Sequence, residues 1–143
     1  MSLTRLSAFS LVTLVVIGAL LSGCSGSGTR PVPVSGTVSL NGQPVAGADV
    51  VFMPQQGQLA SGQTDAQGRF QLLTAQLGDG AVPGDYAVGI SKKEKIIDPN
   101  NPQNPYPMVR DVLPPRYGTP SSSGLTAKVQ ASGRNDFPFD LKP

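Results

Sequence analysis

The sequence contains no histidine and no tryptophan, and it has only one cysteine. Without histidine, the commonest general base is missing, so Ser-His-Asp and Cys-His catalysis are excluded. Without tryptophan, a sugar-binding platform built on that ring is excluded as well. A lone cysteine cannot form an internal disulfide. We therefore expect a protein that is not an enzyme, that binds no cofactor or metal, and that folds without a structural disulfide.

Charge is also scarce, and its two signs nearly balance. The 143 residues include 11 Lys and Arg against 9 Asp and Glu, and charged residues make up 14% of the chain, compared with about 25% in an average soluble domain. The densest basic run is Lys92-Lys93-Glu94-Lys95, so nucleic acid is not an expected partner. We interpret this run as a solvated strand end, with contact to anionic headgroups or cell-wall polymer as the alternative.

Glycine and proline, by contrast, are abundant, with 17 and 14 residues. Glycine loses more backbone entropy than other residues when a helix forms, and proline lacks the backbone N–H. The composition therefore favours short strands and turns over long helices.

The first 24 residues have the pattern of a lipoprotein signal. Arg5 precedes an apolar run over residues 8–21, which has the length of a signal-peptide core and is short for a spanning helix of about 20 residues. The run leads into Leu21, Ser22, Gly23 and Cys24. This sequence resembles the bacterial lipobox, in which an aliphatic residue and two small residues precede the cysteine.

The resemblance implies that residues 1–23 are removed and that Cys24 carries a diacylglyceryl group. Each buried CH₂ contributes about 0.8 kcal/mol, so two or three acyl chains hold a protein on a membrane. Ser25 follows the cysteine, and for Gram-negative lipoproteins this implies the outer membrane. Two alternatives stay open, an uncleaved transmembrane anchor and an ordinary cleaved signal that leaves the Cys24 thiol free.

After the signal, the sequence predicts a flexible tether over residues 24–33 and one domain over residues 34–141. Turn signals such as Asn41-Gly42 separate segments in which apolar and polar residues alternate. We find no convincing helix after the signal. The pattern predicts an all-β, antiparallel β-sandwich of about seven strands. The predicted strands cover residues 34–40, 48–53, 60–64, 69–73, 86–91, 125–131 and 136–141.

Three stretches of this domain are similar to the carboxypeptidase regulatory-like domain, a transthyretin-like sandwich. They read VSGTVSLNGQPVAGADVVFMP, TDAQGRFQL and VPGDYAVGISK. The final part, which contains LPPRYG and NDFPFDL, resembles small envelope lipoproteins of planctomycete-type bacteria. Such domains are mostly non-catalytic accessories, so the resemblance implies binding or a structural role. The hydroxyisourate hydrolases share the transthyretin-like fold, but their site depends on histidines, which this sequence lacks.

Residues 96–123 are rich in proline, asparagine and serine and show little periodicity, which predicts a long irregular loop. Long loops often carry function, so we expect the partner-binding residues there to be Tyr106, Met108, Val109 and Tyr117. We also expect Tyr86 and Tyr117 to be core or corner residues with the hydroxyl bonded to the backbone rather than ligands, so for Tyr117 both interpretations stay open. The stretch from Asp98 to Tyr106 offers oxygen ligands for Ca²⁺, but its single carboxylate favours a solvated loop.

Together these features predict a non-catalytic, lipid-anchored envelope protein whose sandwich is a scaffold or binding module. The expected partners are the membrane, through Cys24, and an envelope protein or polysaccharide. The alternative is a carbohydrate- or peptidoglycan-binding accessory module of an envelope complex. An aromatic content of 6% speaks against that alternative, because sugar sites stack on aromatic faces.

Overall fold

The computed structural model describes residues 30–143, which form an all-β fold and contain no α-helix. The predicted all-β class is confirmed, but this range contains twelve strands rather than the seven predicted, and three of them have only two residues. A 3-10 turn covers Pro115–Tyr117. The strands are Ser35–Leu40 (β1), Gln43–Pro44 (β2), Asp49–Pro54 (β3), Ala60–Gln63 (β4), Arg69–Gln71 (β5), Leu73–Thr74 (β6), Gly78–Asp79 (β7), Gly84–Ser91 (β8), Lys93–Ile96 (β9), Met108–Asp111 (β10), Leu125–Val129 (β11) and Asp136–Leu141 (β12).

The predicted signal peptide, the lipobox and Cys24 lie outside the described residues. Between residues 30 and 143, no helix is both long and apolar enough to cross a membrane.

Two larger sheets and one two-stranded ribbon hold these strands. In the first sheet, β1 lies between β12 on one side and β2 and β5 on the other, and the second sheet has the order β11-β8-β3-β4-β6-β7. The Phe52 ring of the second sheet lies 6.2 Å from the rings of Phe70 and Phe139 and 5.7 Å from that of Phe137, all in the first sheet. The two sheets therefore pack face to face, consistent with a β-sandwich.

One strand pair departs from the predicted antiparallel pattern. β1 and β12 are parallel, and their register runs from Ser35 opposite Asp136 to Leu40 opposite Leu141. These strands are about a hundred residues apart in the chain, so no local turn signal could reveal the pairing. The prediction of a purely antiparallel sandwich was wrong at this pair.

Pro138 lies in the middle of β12 without weakening the pair. The N–H of Ser35 donates to the carbonyl of Asn135 and that of Asn41 to the carbonyl of Leu141, both at 3.0 Å. The alternation of a parallel ladder then directs the N–H groups of residues 137, 139 and 141 toward β1. The backbone nitrogen of residue 138 faces away from β1, so a proline there removes no hydrogen bond between the two strands. The outer edge of β12 then has one N–H donor fewer.

The predicted hairpin over residues 60–73 is divided between the two sheets. Its turn is present, since the Asp65 carboxylate accepts the N–H groups of Gln67 and Arg69 at 2.9 Å. The return strand, however, breaks at Leu72, where the backbone N–H donates to the Val34 carbonyl at 3.0 Å. As a result β5 pairs with β1, and β6 pairs with β4.

The two ends of β8 define the two ends of the sandwich. Gly84 at its start lies opposite Val129, and Ser91 at its end lies opposite Asp49. The eight residues of β8 extend over about 23 Å at about 3.3 Å each. We call the end at Gly84 the entry end and the end at Ser91 the distal end.

The chain joins the fold at Val32, at the entry end. Val32 and Ala81 exchange two backbone hydrogen bonds, of 2.9 and 3.0 Å, and Ala81 lies three residues before β8. Gly80 makes this approach feasible, because a Cβ there would lie 1.9 Å from the Val32 oxygen. The predicted tether over residues 24–33 therefore extends too far, since Val32 already pairs with the domain.

Candidate functional site

A two-stranded ribbon of β9 and β10 extends from the distal end of the sandwich. It is antiparallel, with Ile96 opposite Met108 and Lys93 opposite Asp111, and the carbonyl of Lys92, between β8 and β9, accepts the N–H of Val112 at 2.8 Å. The segment over residues 96–123 was predicted as an irregular loop. It instead contains β10 and the 3-10 turn, so that prediction was wrong in part.

The ribbon and the connection between its strands carry large apolar side chains that are exposed to solvent. The exposed fractions are 73% for Ile97, 78% for Tyr106, 49% for Met108 and 60% for Val109. Three of these are predicted contact residues: Met108 and Val109 are consecutive residues of β10, and Tyr106 lies in the connection before it. Ile97 was missed, although it lies two residues after the charged run and belongs to no alternating pattern that would bury it.

Opposite charges face each other across the ribbon. Glu94 lies opposite Arg110 and Lys93 opposite Asp111, and such cross-strand pairs contribute about 0.2–1 kcal/mol each. The Lys92 ammonium also lies 3.4 Å from the Glu94 carboxylate. These pairs favour ribbon formation in a segment whose side chains are almost all exposed.

The backbone edges of the ribbon are available to another strand. In the described part of the chain, β9 pairs only with β10 and β10 only with β9. An unpaired strand edge presents free N–H and C=O groups to which an extended segment of a partner can add. The ribbon can therefore bind a partner through main-chain bonds, with its apolar side chains supplying selectivity.

Tyr117, the fourth predicted contact residue, does not lie on the ribbon. Its ring is partly buried against the core, and its hydroxyl accepts the Lys142 N–H and the Arg116 guanidinium, both at 3.1 Å. The Lys142 N–H and then Arg116 lower the pKa of Tyr117 below its ordinary 10. These contacts agree with the other interpretation of Tyr117, as a structural residue whose hydroxyl is bonded to the backbone.

Arg116 holds the end of the last strand at the distal end. Its guanidinium donates to the carbonyl of Lys142 at 2.5 Å and to that of Pro143 at 2.8 Å, and it lies 4.7 Å from the centre of the Tyr117 ring. Arg116 therefore connects the 3-10 turn to the residues that follow β12.

Tyr86 has the predicted corner role at the entry end. Its side chain is buried, and its hydroxyl donates to the Val82 carbonyl at 2.7 Å. Burial raises the pKa of Tyr86, while the bond to Val82 acts in the opposite direction.

Two side chains in the connection between β9 and β10 stabilise turns by accepting backbone hydrogen bonds. The Asp98 carboxylate accepts the N–H of Asn100 at 2.9 Å, and the Asn104 side-chain oxygen accepts the N–H of Tyr106 at 3.0 Å. Such bonds are typical Asx turns. Over residues 30–143, no group of three or more cysteine or carboxylate side chains is placed to hold a metal ion.

Comparison with known proteins identified no relative. A scan against protein-family models, a search of curated proteins and a search of solved structures each found no match. The similarity to carboxypeptidase regulatory-like domains thus rests on the sequence motifs alone.

Proposed function

We propose that this protein is a non-catalytic envelope protein, anchored by lipid at Cys24, whose sandwich presents the β9–β10 ribbon to a partner. The observation that carries the proposal is the placement of the two ends. Val32 joins the fold at the entry end, and the ribbon begins about 23 Å away at the distal end of β8. A ribbon on the end opposite the anchor remains accessible above a membrane.

The length of the tether supports a position close to the membrane. Val32 is the eighth residue after Cys24, so the segment that joins them is short. Fully extended, it reaches about 28 Å. The entry end would therefore lie within a few nanometres of the lipid, on the outer membrane if the residue after Cys24 acts as it does in lipoproteins.

We further propose that the sandwich is of the transthyretin-like type. The sequence motifs shared with carboxypeptidase regulatory-like domains support this assignment, and they fall where the fold needs them. Asn41-Gly42 joins β1 to β2, with positive φ angles of 51° and 77°, and the motif around Asp65 and Gly68 forms the turn before β5.

A carbohydrate-binding module is a second candidate, favoured by one polar groove on the first sheet. The groove is lined by side chains that can bond to sugar hydroxyls, including Asp65, Arg69, Arg134 and Asp136. The single aromatic ring lining it, Phe70, is buried, so it offers no stacking surface. A glycan-array screen in which Arg69→Ala abolishes a hit would favour this candidate over the ribbon.

Metabolic labelling tests the anchor. Cells expressing the full chain and given a labelled fatty acid should incorporate label, and Cys24→Ala should lose it while the neighbouring control Ser25→Ala retains it. Label that persists in Cys24→Ala contradicts the proposal.

Crosslinking in intact cells tests the ribbon. A photoreactive residue at Val109 should give a discrete adduct, whereas the same residue at the exposed position Gln58, at the entry end, should not give that adduct. Equal adducts from both positions, or none from Val109, would argue against the ribbon as the contact surface.

A further inference from the structure

Large apolar side chains are exposed at the entry end as well as on the ribbon. Over residues 30–143, eight large hydrophobic side chains are exposed, and four of them belong to the ribbon and its connection. The other four are Met53 at 43%, Leu59 at 44%, Leu73 at 52% and Leu77 at 44%. We call these four residues the entry patch.

The strand register places Met53 on the outer face of the second sheet, near the start of β4. Phe52 lies opposite Ala60, and both side chains are completely buried between the sheets. Side chains alternate between the two faces of a sheet. Met53, the residue after Phe52, therefore lies on the outer face, and Leu59 directly precedes β4.

Leu73 and Leu77 extend the entry patch toward the edge of the sheet. Leu73 lies opposite Ser61, and its neighbour Thr74 is buried opposite Ala60, so Leu73 lies on the outer face of the sheet. Leu77 lies in the turn between β6 and β7, where its N–H donates to the Thr74 carbonyl at 3.1 Å. The entry patch therefore continues across β3, β4 and β6 to the β6–β7 turn.

The entry patch lies beside the point where the chain joins the domain. β7 ends at Asp79, and the next residues, Gly80 and Ala81, hold Val32. Whatever lies before Val32 thus leaves the domain next to the entry patch. The loop between Pro54 and Leu59 is QQGQ, so the entry patch has uncharged amides on this side, whereas the exposed Asp79 lies opposite Leu73 on the other side.

We propose that the entry patch rests on the lipid surface to which the chain is anchored. This inference depends on the proposed anchor at Cys24, which lies only eight residues before Val32. Exposed apolar patches mark contacts with proteins or membranes. Of these, the membrane is the surface that the tether keeps within reach, and the glutamine amides of the loop before Leu59 can hydrogen-bond to the headgroup region.

Two methionines provide an internal comparison without any mutation. Met53 in the entry patch and Met108 on the ribbon are 43% and 49% exposed, so they should react alike with hydroxyl radicals when both face water. We would reconstitute the full chain into vesicles of phosphatidylethanolamine and phosphatidylglycerol at 3:1 and measure oxidation of each methionine by mass spectrometry. We expect Met53 to be oxidised about fivefold more slowly than Met108.

Variants and dilution distinguish contact with lipid from contact with a second copy of the chain. Leu59→Gln with Leu77→Gln should bring the oxidation of Met53 up to that of Met108, whereas the ribbon control Val109→Gln should leave Met53 protected. Protection that disappears as the protein-to-lipid ratio is lowered would mean that a second copy covers the entry patch, and would overturn the proposal. Equal oxidation of the two methionines in vesicles would overturn it as well.

The same sample reports separately on the anchor. A lipid adduct on Cys24 together with unprotected Met53 refutes membrane contact of the entry patch while leaving the proposed function standing. A protected Met53 without any adduct on Cys24 supports the contact and contradicts the lipid anchor.

Discussion

The Asp140 carboxylate accepts the backbone N–H of Gly42 at 3.0 Å, across 98 residues of sequence. The Ser39 hydroxyl donates to the same oxygen at 2.9 Å, and the Lys142 ammonium contacts the other. These contacts bind the β1–β2 turn to the end of β12. The bonds from Lys142, then Gly42, then Ser39 lower the pKa of Asp140 from 3.8 to about 2.

The lowered pKa of Asp140 predicts a stability loss in acid. Because the folded state binds this proton more weakly than the unfolded state, the contribution of Asp140 is present above pH 4 and is lost as the pH falls toward 2. Asp140→Asn should lower the urea concentration at the midpoint of unfolding at pH 7. It should also reduce the fall of this midpoint between pH 4 and pH 2. Asp111→Asn, on the exposed ribbon, is the control, and an equal effect of both variants would contradict the role of Asp140.

The same substitution should have different effects on stability at two tyrosines. Tyr86→Phe removes the bond to the Val82 carbonyl and should cost about 0.5–1.5 kcal/mol of unfolding free energy. Tyr106 is 78% exposed, so Tyr106→Phe should change it by less than about 0.5 kcal/mol. Chemical denaturation of both variants decides the point, and equal losses would refute the corner role of Tyr86.

Gly36 should tolerate no side chain. A Cβ there would lie 2.2 Å from the Phe137 carbonyl oxygen and 2.5 Å from the Phe70 ring. Gly36→Ala should therefore destabilise the domain by about 1–3 kcal/mol or more, whereas Thr37→Ala, at the next and exposed position, should have an effect below about 0.5 kcal/mol. A neutral Gly36→Ala in equilibrium unfolding would mean that β1 and β12 can move apart.

The ribbon should be dispensable for folding. Lys92 and Val112 face each other through a backbone bond of 2.8 Å, so residues 93–111 can be replaced by Asn-Gly, a two-residue hairpin turn. The unfolding free energy should change by less than about 1 kcal/mol. Truncating the buried neighbour Leu113 to alanine should cost about 2–5 kcal/mol, and a comparable loss in the ribbon replacement would show that the ribbon is structural.

Local patterns predicted most strands of the sandwich. Val88 and Ile90 alternate with small residues and are completely buried, and Phe139 and Leu141, on either side of Asp140, are buried as well. Asn41-Gly42 also correctly predicted the turn between β1 and β2. These signals depend only on neighbouring residues, whose periodicity records which face of a strand is buried.

The remaining features depend on contacts that no local pattern records. The parallel pairing of β1 and β12 joins distant segments, and the change of sheet at Leu72 depends on a bond to Val34. β9 and β10 bury almost nothing, so their sequences show no alternation, and their pairing depends on opposite charges such as Glu94 and Arg110. For the candidate site, the sequence predicted three exposed residues, but neither the ribbon that presents them nor the entry patch.

The mass of the N-terminal peptide of the protein purified from its membrane fraction tests the central claim most directly. We predict that the mature chain begins at Cys24 and that this residue carries a diacylglyceryl group, with or without an acyl group on its amine. A chain that still begins at Met1, or one whose Cys24 bears a free thiol, would contradict the lipid anchor on which the proposed function depends.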